Sequence, residues 1–263
     1  GPGYWAIRIM CCRTQPEEND MTAIGIIGSA GRMGRELAIA CEEAGLVLAG
    51  GIDVGGDPLA LARQCDVLID FSSPKALQAN LDAAVAAQTP ILIGTTGLAA
   101  DHHAVIDAAA AKVAVLQTGN TSLGVSMLVH LVREAASRLG VDWDVEVVET
   151  HHRHKVDAPS GTALMLGQGA AAGRGIDLAV NSERGRDGVT GARKEGAIGF
   201  ASLRGGSVIG DHMVMFATEH ERLELRHVAE NRALFARGAM KAAQWLAGQG
   251  AGRYSMNDML GLG

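Results

Sequence analysis

Aromatic residues make up only 3 % of this chain, too few for the base-stacking platforms of RNA and single-strand binders. Positive charge is also in deficit. The 23 Lys and Arg are outnumbered by 29 Asp and Glu, giving a formal net charge of −6. No nucleic-acid partner is expected from that balance. No apolar run reaches the length of a membrane span, so no membrane partner is expected, and nothing resembles a cleavable signal sequence. Cysteine is sparse and unpatterned. Cys11, Cys12, Cys41 and Cys65 form neither a C-x-x-C pair nor a disulfide framework, which predicts a reducing, cytoplasmic location.

What remains is a chain rich in glycine and 48 % apolar, ample for the core of one large domain or two modest ones. Gly1-Pro2-Gly3 looks like an expression scar and Met21 like a natural start. Residues 1–20 are therefore expected to be a tag or extension outside the fold.

From Thr22 short β-rich runs alternate with Ala-rich helical stretches. Strands are expected at Ala23–Ile27, Leu46–Ile52, Val67–Phe71, Ile91–Gly94 and Val113–Leu116. Helices are expected at Met33–Ala44, Pro74–Ala87 (capped by Ser72 or Ser73) and Asp101–Ala111. Near-continuous apolar strands separated by helices predict a doubly wound, Rossmann-like parallel sheet. After residue 120 the pattern changes. A long helix (Ser122–Leu139), a strand (Trp143–Glu149) and a helix (Gly161–Ala172) precede the β-rich runs Ile198–Leu203, Ser207–Phe216 and Arg222–His227. That order predicts an α+β domain with a mixed, mostly antiparallel sheet. Residues 173–195 read as a mobile surface loop, and a final helix, Arg232–Leu246, returns to the first domain. The expected division is 22–121 with 232–263, against 122–231.

Gly28-Ser29-Ala30-Gly31-Arg32-Met33-Gly34 lies between the first strand and the first helix. Glycines there permit a tight turn, and the free amides of a helix start face a pyrophosphate. Ala30 replaces the middle glycine of the usual spacing but is small, and Arg32 can add a charged contact. Asp53 ends the second strand, where an acid bonds the adenosine ribose. Val54 follows it with no Arg or Lys nearby, so NADH is predicted to serve at least as well as NADPH. Gly94-Thr95-Thr96 and Thr118-Gly119-Asn120-Thr121 follow the fourth and fifth strands. They lie at the same sheet edge, where they can either hold the nicotinamide end or act as ordinary turns and caps.

The densest chemistry is His151-His152-Arg153-His154-Lys155, followed by Pro159-Ser160-Gly161-Thr162. Concentrated cations in an acidic chain suggest a pocket that grips a small anion and moves protons. Histidine titrates near neutrality, Lys155 supplies charge or a proton, and the helix start at Ser160-Gly161-Thr162 offers amides to a carboxylate. If the segment is extended, His151 and Arg153 face one way and His152 and His154 the other. Adjacent Arg153 and Lys155, with no H-E-x-x-H and no nearby cysteine, argue against a metal.

The run Glu149 to Ala163, E-T-H-H-R-H-K-V-D-A-P-S-G-T-A, closely resembles the signature of the 4-hydroxy-tetrahydrodipicolinate (dihydrodipicolinate) reductase family. The resemblance extends to Gly28–Gly34, Asp70-Phe71-Ser72, Gly94–Gly97, Gly196–Phe200 and Gly210-Asp211-His212, nearly all of 22–263. It implies reduction of a cyclic, imine-type dicarboxylate by NADH or NADPH, in the diaminopimelate route to lysine. By that likeness His151 and Lys155 are the acid/base pair, and His152, Lys155, Gly161 and Thr162 bind substrate carboxylates. Gly28–Met33, Asp53, Gly94–Thr96 and Thr118–Thr121 bind cofactor, and the family resemblance implies a homotetramer. Two departures stand out. The segment from Asp53 to Cys65 is short, and Thr121 stands where some members carry an aromatic residue.

Overall fold

The computed structural model describes residues 21–262; the expected tag or extension at 1–20 lies outside the described residues. In chain order the first elements are β1 (Ala23–Ile27), α1 (Arg32–Glu43), β2 (Val47–Ile52), α2 (Pro58–Ala62) and β3 (Val67–Asp70). There follow α3 (Leu77–Ala87), β4 (Ile91–Ile93), α4 (Ala100–Ala110), β5 (Ala114–Gln117), α5 (Leu123–Arg138), β6 (Asp144–His151) and α6 (Gly161–Arg174). The remainder is α7 (Leu178–Asn181), β7 (Ser182–Glu183), β8 (Ile198–Arg204), β9 (Asp211–Ala217), β10 (Arg222–Val228), α8 (Ala233–Ala247), β11 (Gly252–Tyr254) and α9 (Met256–Leu260).

The first sheet has the order β11-β5-β4-β3-β1-β2, with every pairing parallel. Its inner strands β1, β3, β4 and β5 bury both faces, and alternate residues divide between two cores. Ile24, Ile26, Val67, Ile69 and Leu92 pack with Leu37 of α1 and Met240 and Leu246 of α8. Ile27, Leu68, Ile91, Ile93 and Val115 pack with Leu61 of α2, Leu81 of α3 and Ile106 of α4. This two-sided burial is why the strands read as unbroken apolar runs. The chain leaves β1 toward β2 on one side and β3 on the other, so a crevice opens beyond the strand ends at that point.

The second sheet, β10-β9-β6-β8-β7, is mixed: β10–β9 and β9–β6 are antiparallel, while β6–β8 and β8–β7 are parallel. Val145, Val147, Ile198, Phe200, Val214 and Phe216 face α5 and α6, meeting Leu128, Val132, Leu166 and Ala170. The opposite face carries Val148, Met213, Met215 and Leu203, none of them fully buried.

Three expectations change. Residues 173–195 contain α7 and β7, and the stretch is tied down by charge. Arg186 bonds Glu146 and Glu183, and Arg193 bonds Glu146 and Asp144. The expected helix at Pro74 begins as a 3-10 turn over Pro74–Ala76, with no side-chain cap from Ser73. Ser72 instead turns its hydroxyl to Asp70 at 2.5 Å. The short elements α2, β11 and α9 have no counterpart among the expected elements.

Candidate active site

The glycine loop is shaped by backbone proximity. Gly28 has φ of +87°, and a Cβ there would stand 2.5 Å from the Phe71 carbonyl oxygen. At Gly34 a side chain would collide with the backbone of Gly28 and Ser29, so α1 packs onto the loop only with glycine there. The amides of Gly28 and Ser29 donate to the Ile52 carbonyl, at 2.8 and 3.2 Å. Gly31, the N-cap of α1, has no side chain to cap the helix, and the first turn contains no acid. A helix start left uncapped by its own side chains fits a pyrophosphate. Arg32 lies exposed beside it. Together with Met33, Arg35, Phe71, Arg232 and Phe235 it lines a cleft of about 690 Å³.

Asp53 is exposed, and its carboxylate accepts from Ser29 Oγ (2.8 Å) and the Ala30 amide (2.9 Å). The other loops divide into exposed groups and internally bonded ones. Gly94 is buried under the Phe71 ring. Thr95 is turned inward, accepting from the Ser72 amide and facing the Asp70 carboxylate at 3.3 Å, whereas Thr96 is exposed. Thr118 closes a turn by accepting from the Asn120 amide at 3.1 Å and donating to the Asn120 carbonyl at 2.8 Å, leaving Gly119 exposed. Thr121 is 2 % exposed and donates to the Phe235 carbonyl, joining the start of α5 to α8. The side chains of Thr95, Thr118 and Thr121 therefore shape their loops, while backbone groups and Thr96 face outward.

The histidine-rich segment lies where β6 leaves the second sheet. The strand runs two residues beyond its expected end and stops at His151. The Lys155 amide then donates to the His152 carbonyl in a turn, so the strict alternation expected through His154 does not occur. His151 is 8 % exposed, with Nδ1 2.5 Å from Glu149 Oε2. Glu149 is 1 % exposed and is gripped by both arms of Arg204, at 2.8 and 2.9 Å. Burial pushes its carboxyl up, but hydrogen bonds from Arg204 and His151 outweigh this and hold it at about 2. His212 packs edge-on to His151 with ring centroids 5.0 Å apart. Burial, then the neighbouring His151, pulls it down to about 4.

Lys155 pairs with Asp157 at 2.8 Å, and Arg153 and His154 face solvent. For His152, burial and then the positive charge of Arg232 hold the ring below the usual histidine value. Ser160 is buried, and its groups are taken internally. Its amide donates to Glu149, while its hydroxyl caps the Ala163 amide and meets His212 Nε2 at 3.0 Å. What α6 presents is Gly161, exposed, and Thr162, half buried, with first-turn amides that have no helical acceptor. Asn120 Nδ2 donates to Thr162 Oγ1 at 3.1 Å, bringing the β5 loop against this helix start. The site thus faces the crevice of the first sheet. Among the described residues no three His, Cys, Asp or Glu side chains are grouped to hold a metal.

Sequence reasoning gave no role to Glu149, Arg204, His212, Asp157 or Arg232. Glu149, Asp157 and His212 lie within the motifs quoted for the family resemblance. Arg204 joins the site only through strand pairing, and Arg232 only through the return of the chain to α8.

Two family models for dihydrodipicolinate reductase match most of this chain: the N-terminal model over residues 22–121 and the C-terminal model over residues 124–260. The 4-hydroxy-tetrahydrodipicolinate reductase of Zymomonas mobilis is 55 % identical over 246 residues, covering 91 % of this chain and 97 % of that protein. The enzyme of the same name from Parvibaculum lavamentivorans is 52 % identical over 267 residues, with 91 % and 97 % covered. The fold is also that of a dipicolinate-bound dihydrodipicolinate reductase from Paenisporosarcina sp. TG-14. That structure has a TM-score of 0.70 at 21 % identity and covers 90 % of this chain and 98 % of that one. The chain belongs to the dihydrodipicolinate reductase family.

Proposed function

We propose that this protein reduces 4-hydroxy-tetrahydrodipicolinate to tetrahydrodipicolinate at the expense of NADH or NADPH, in diaminopimelate and lysine biosynthesis. The observation that carries the reading is the pairing of two half-sites. An uncapped, glycine-lined helix start lies across the crevice from a buried histidine, a lysine and a second helix start, and Asn120 and Thr162 join the two.

The reaction replaces a ring hydroxyl by hydrogen, so one hydride and one proton are consumed and one water leaves. The nicotinamide, when bound, supplies the hydride. The protein's task is to hold both reactants and manage the proton. Gly28, Ser29, Ala30, Gly31, Arg32 and Met33 receive the pyrophosphate, and Asp53 receives the adenosine ribose. Gly94, Thr95, Thr96, Thr118, Gly119, Asn120 and Thr121 form the nicotinamide end, the buried threonines acting through loop shape. On the opposite side His152, Lys155, Gly161 and Thr162 hold the two carboxylates, with Ser160 shaping the helix start from within. His151 and Lys155 deliver the proton.

Asp53, exposed and followed by Val54, repels a 2′-phosphate and makes NADH at least as good a donor as NADPH. Residues 22–121 with 232–263 form the cofactor domain and 122–231 the substrate domain. The half-open face of the second sheet, which carries Leu203 (54 % exposed), Met213 and Met215, supports assembly into a homotetramer. The small dicarboxylate is the expected partner rather than nucleic acid or a membrane. No described helix is long and apolar enough to cross a membrane, and the pathway assignment makes the protein cytoplasmic. The test is to supply enzymatically generated substrate and follow the absorbance of the reduced cofactor. Substrate-dependent oxidation is expected, and none with either cofactor overturns the reading.

A further inference from the structure

The polar contacts around the histidine centre converge on one buried carboxylate. Glu149 Oε2 meets His151 Nδ1 at 2.5 Å and Arg204 Nη1 at 2.8 Å. Oε1 accepts from Arg204 Nη2 at 2.9 Å and from the Ser160 amide at 3.2 Å. Arg204 Nη2 also donates to the Asp157 carbonyl at 2.7 Å, and the Asp157 carboxylate holds Lys155 Nζ at 2.8 Å. The parallel register of β6 and β8 builds this hub by placing His151 opposite Arg204 and Glu149 opposite Ser202.

We propose that Glu149, locked by Arg204, is a positioning residue that keeps the proton of neutral His151 on Nδ1 and leaves Nε2 to exchange protons with substrate. Arg204, through Asp157, sets Lys155 in register with that nitrogen. The inference rests on the reading of His151 as the proton carrier.

An ionised carboxylate can only accept, so the 2.5 Å contact requires Nδ1–H on the ring. Nε2 of the neutral imidazole then carries the lone pair, and after protonation it becomes the outward donor. Gly210 leaves that nitrogen room, since a Cβ at 210 would stand 3.0 Å from Nε2. Arg204 is needed because a carboxylate 1 % exposed without a partner would take up a proton and cease to dictate the tautomer. His212, buried and held neutral, adds no competing charge beside the ring.

Glu149→Gln separates this role from a purely structural one. Its carbonyl still accepts from Ser160 or Arg204, but its amide donates to Nδ1 and moves the ring proton to Nε2. ¹⁵N-histidine NMR is expected to show the Nδ1–H form of His151 in the native protein and the Nε2–H form in the variant. kcat is expected to fall about 10²–10⁴-fold, with substrate KM and the Kd for NADH changing less than about threefold. Glu149→Asp, which restores the charge, is expected to recover part of the loss. A native His151 protonated on Nε2 overturns the proposal, as does a Glu149→Gln enzyme within about threefold of native kcat. Should that variant not fold, the native spectrum decides alone. Failure of the native protein to oxidise either NADH or NADPH would instead defeat the reading of the reaction, whatever the tautomer.

Discussion

The two halves of the crevice are built from different materials. On the first sheet the groups proposed to meet a ligand are backbone amides and exposed side chains: the Gly31 helix start, Arg32, Asp53 and Thr96. On the second sheet they rest on a buried, charged lattice: Glu149 at 1 %, Ser160 at 2 %, His212 at 4 % and His151 at 8 % exposure. Backbone recognition needs little beyond the correct turn, and solvent screens the charges around it. A buried lattice fails as a unit, because removing one member leaves the others unpaired. The difference predicts that damage to the second half abolishes chemistry, whereas damage to the first half re-tunes binding.

The largest expected effect separates the halves directly. Lys155→Ala should lower kcat by about 10²–10⁴-fold, the range for loss of a proton-transfer group. The Kd for NADH, measured by fluorescence titration without substrate, should stay within about twofold. A matching loss of NADH affinity would mean that the two half-sites are not separable.

This division also governs what was legible in the sequence. The doubly wound sheet and its loop could be read because their signals are local: apolar runs, a glycine spacing, and an acid after the second strand. His151, Lys155 and Thr162 were legible from their chemistry and from the family signature. Ser160 shows the limit. A serine before a helix start reads equally well as cap and as ligand, and only the fold reveals its hydroxyl committed to Ala163 and His212. The Glu149–Arg204 pair spans 55 positions and depends on strand register, which no local pattern encodes. The same holds for residues 173–195. Their Gly- and Arg-rich composition suggests mobility, yet Arg193 reaches back 47 positions to Glu146. The strand β11, three residues at a sheet edge, is too short for periodicity to register.

Acid should dismantle the second half next. His212 is neutral in the folded protein down to about 4, against 6.5 when free, so the unfolded chain takes up its proton first. Stability is complete above pH 6.5 and falls by about 3 kcal/mol as the pH drops from 6.5 toward 4. Glu149, held at about 2 against 4.5, contributes stability that is full above pH 4.5 and is lost below it. Denaturant unfolding across this range measures both, and His212→Asn should flatten the upper segment. A flat profile from pH 7 to 4 would contradict the account of His212.

Thr162→Val removes the acceptor of the Asn120 hydrogen bond across the crevice. Loss of about 1 kcal/mol should raise the substrate KM about fivefold while leaving the Kd for NADH nearly unchanged. Smallest is the effect of Asp53→Ala, an exposed group. NADH affinity should weaken about threefold to fivefold, with NADPH gaining relative to it, as parallel titrations would show.

The central claim is that a hydride crosses the crevice from a nicotinamide held by the first sheet to a dicarboxylate held by the second. Turnover with NADH carrying deuterium at the transferable position of its nicotinamide tests it most directly, with the product read by mass spectrometry. One deuterium per product ring, and one NADH oxidised per product formed, is the predicted result. Product without deuterium, or no NADH oxidation in the presence of substrate, would contradict it.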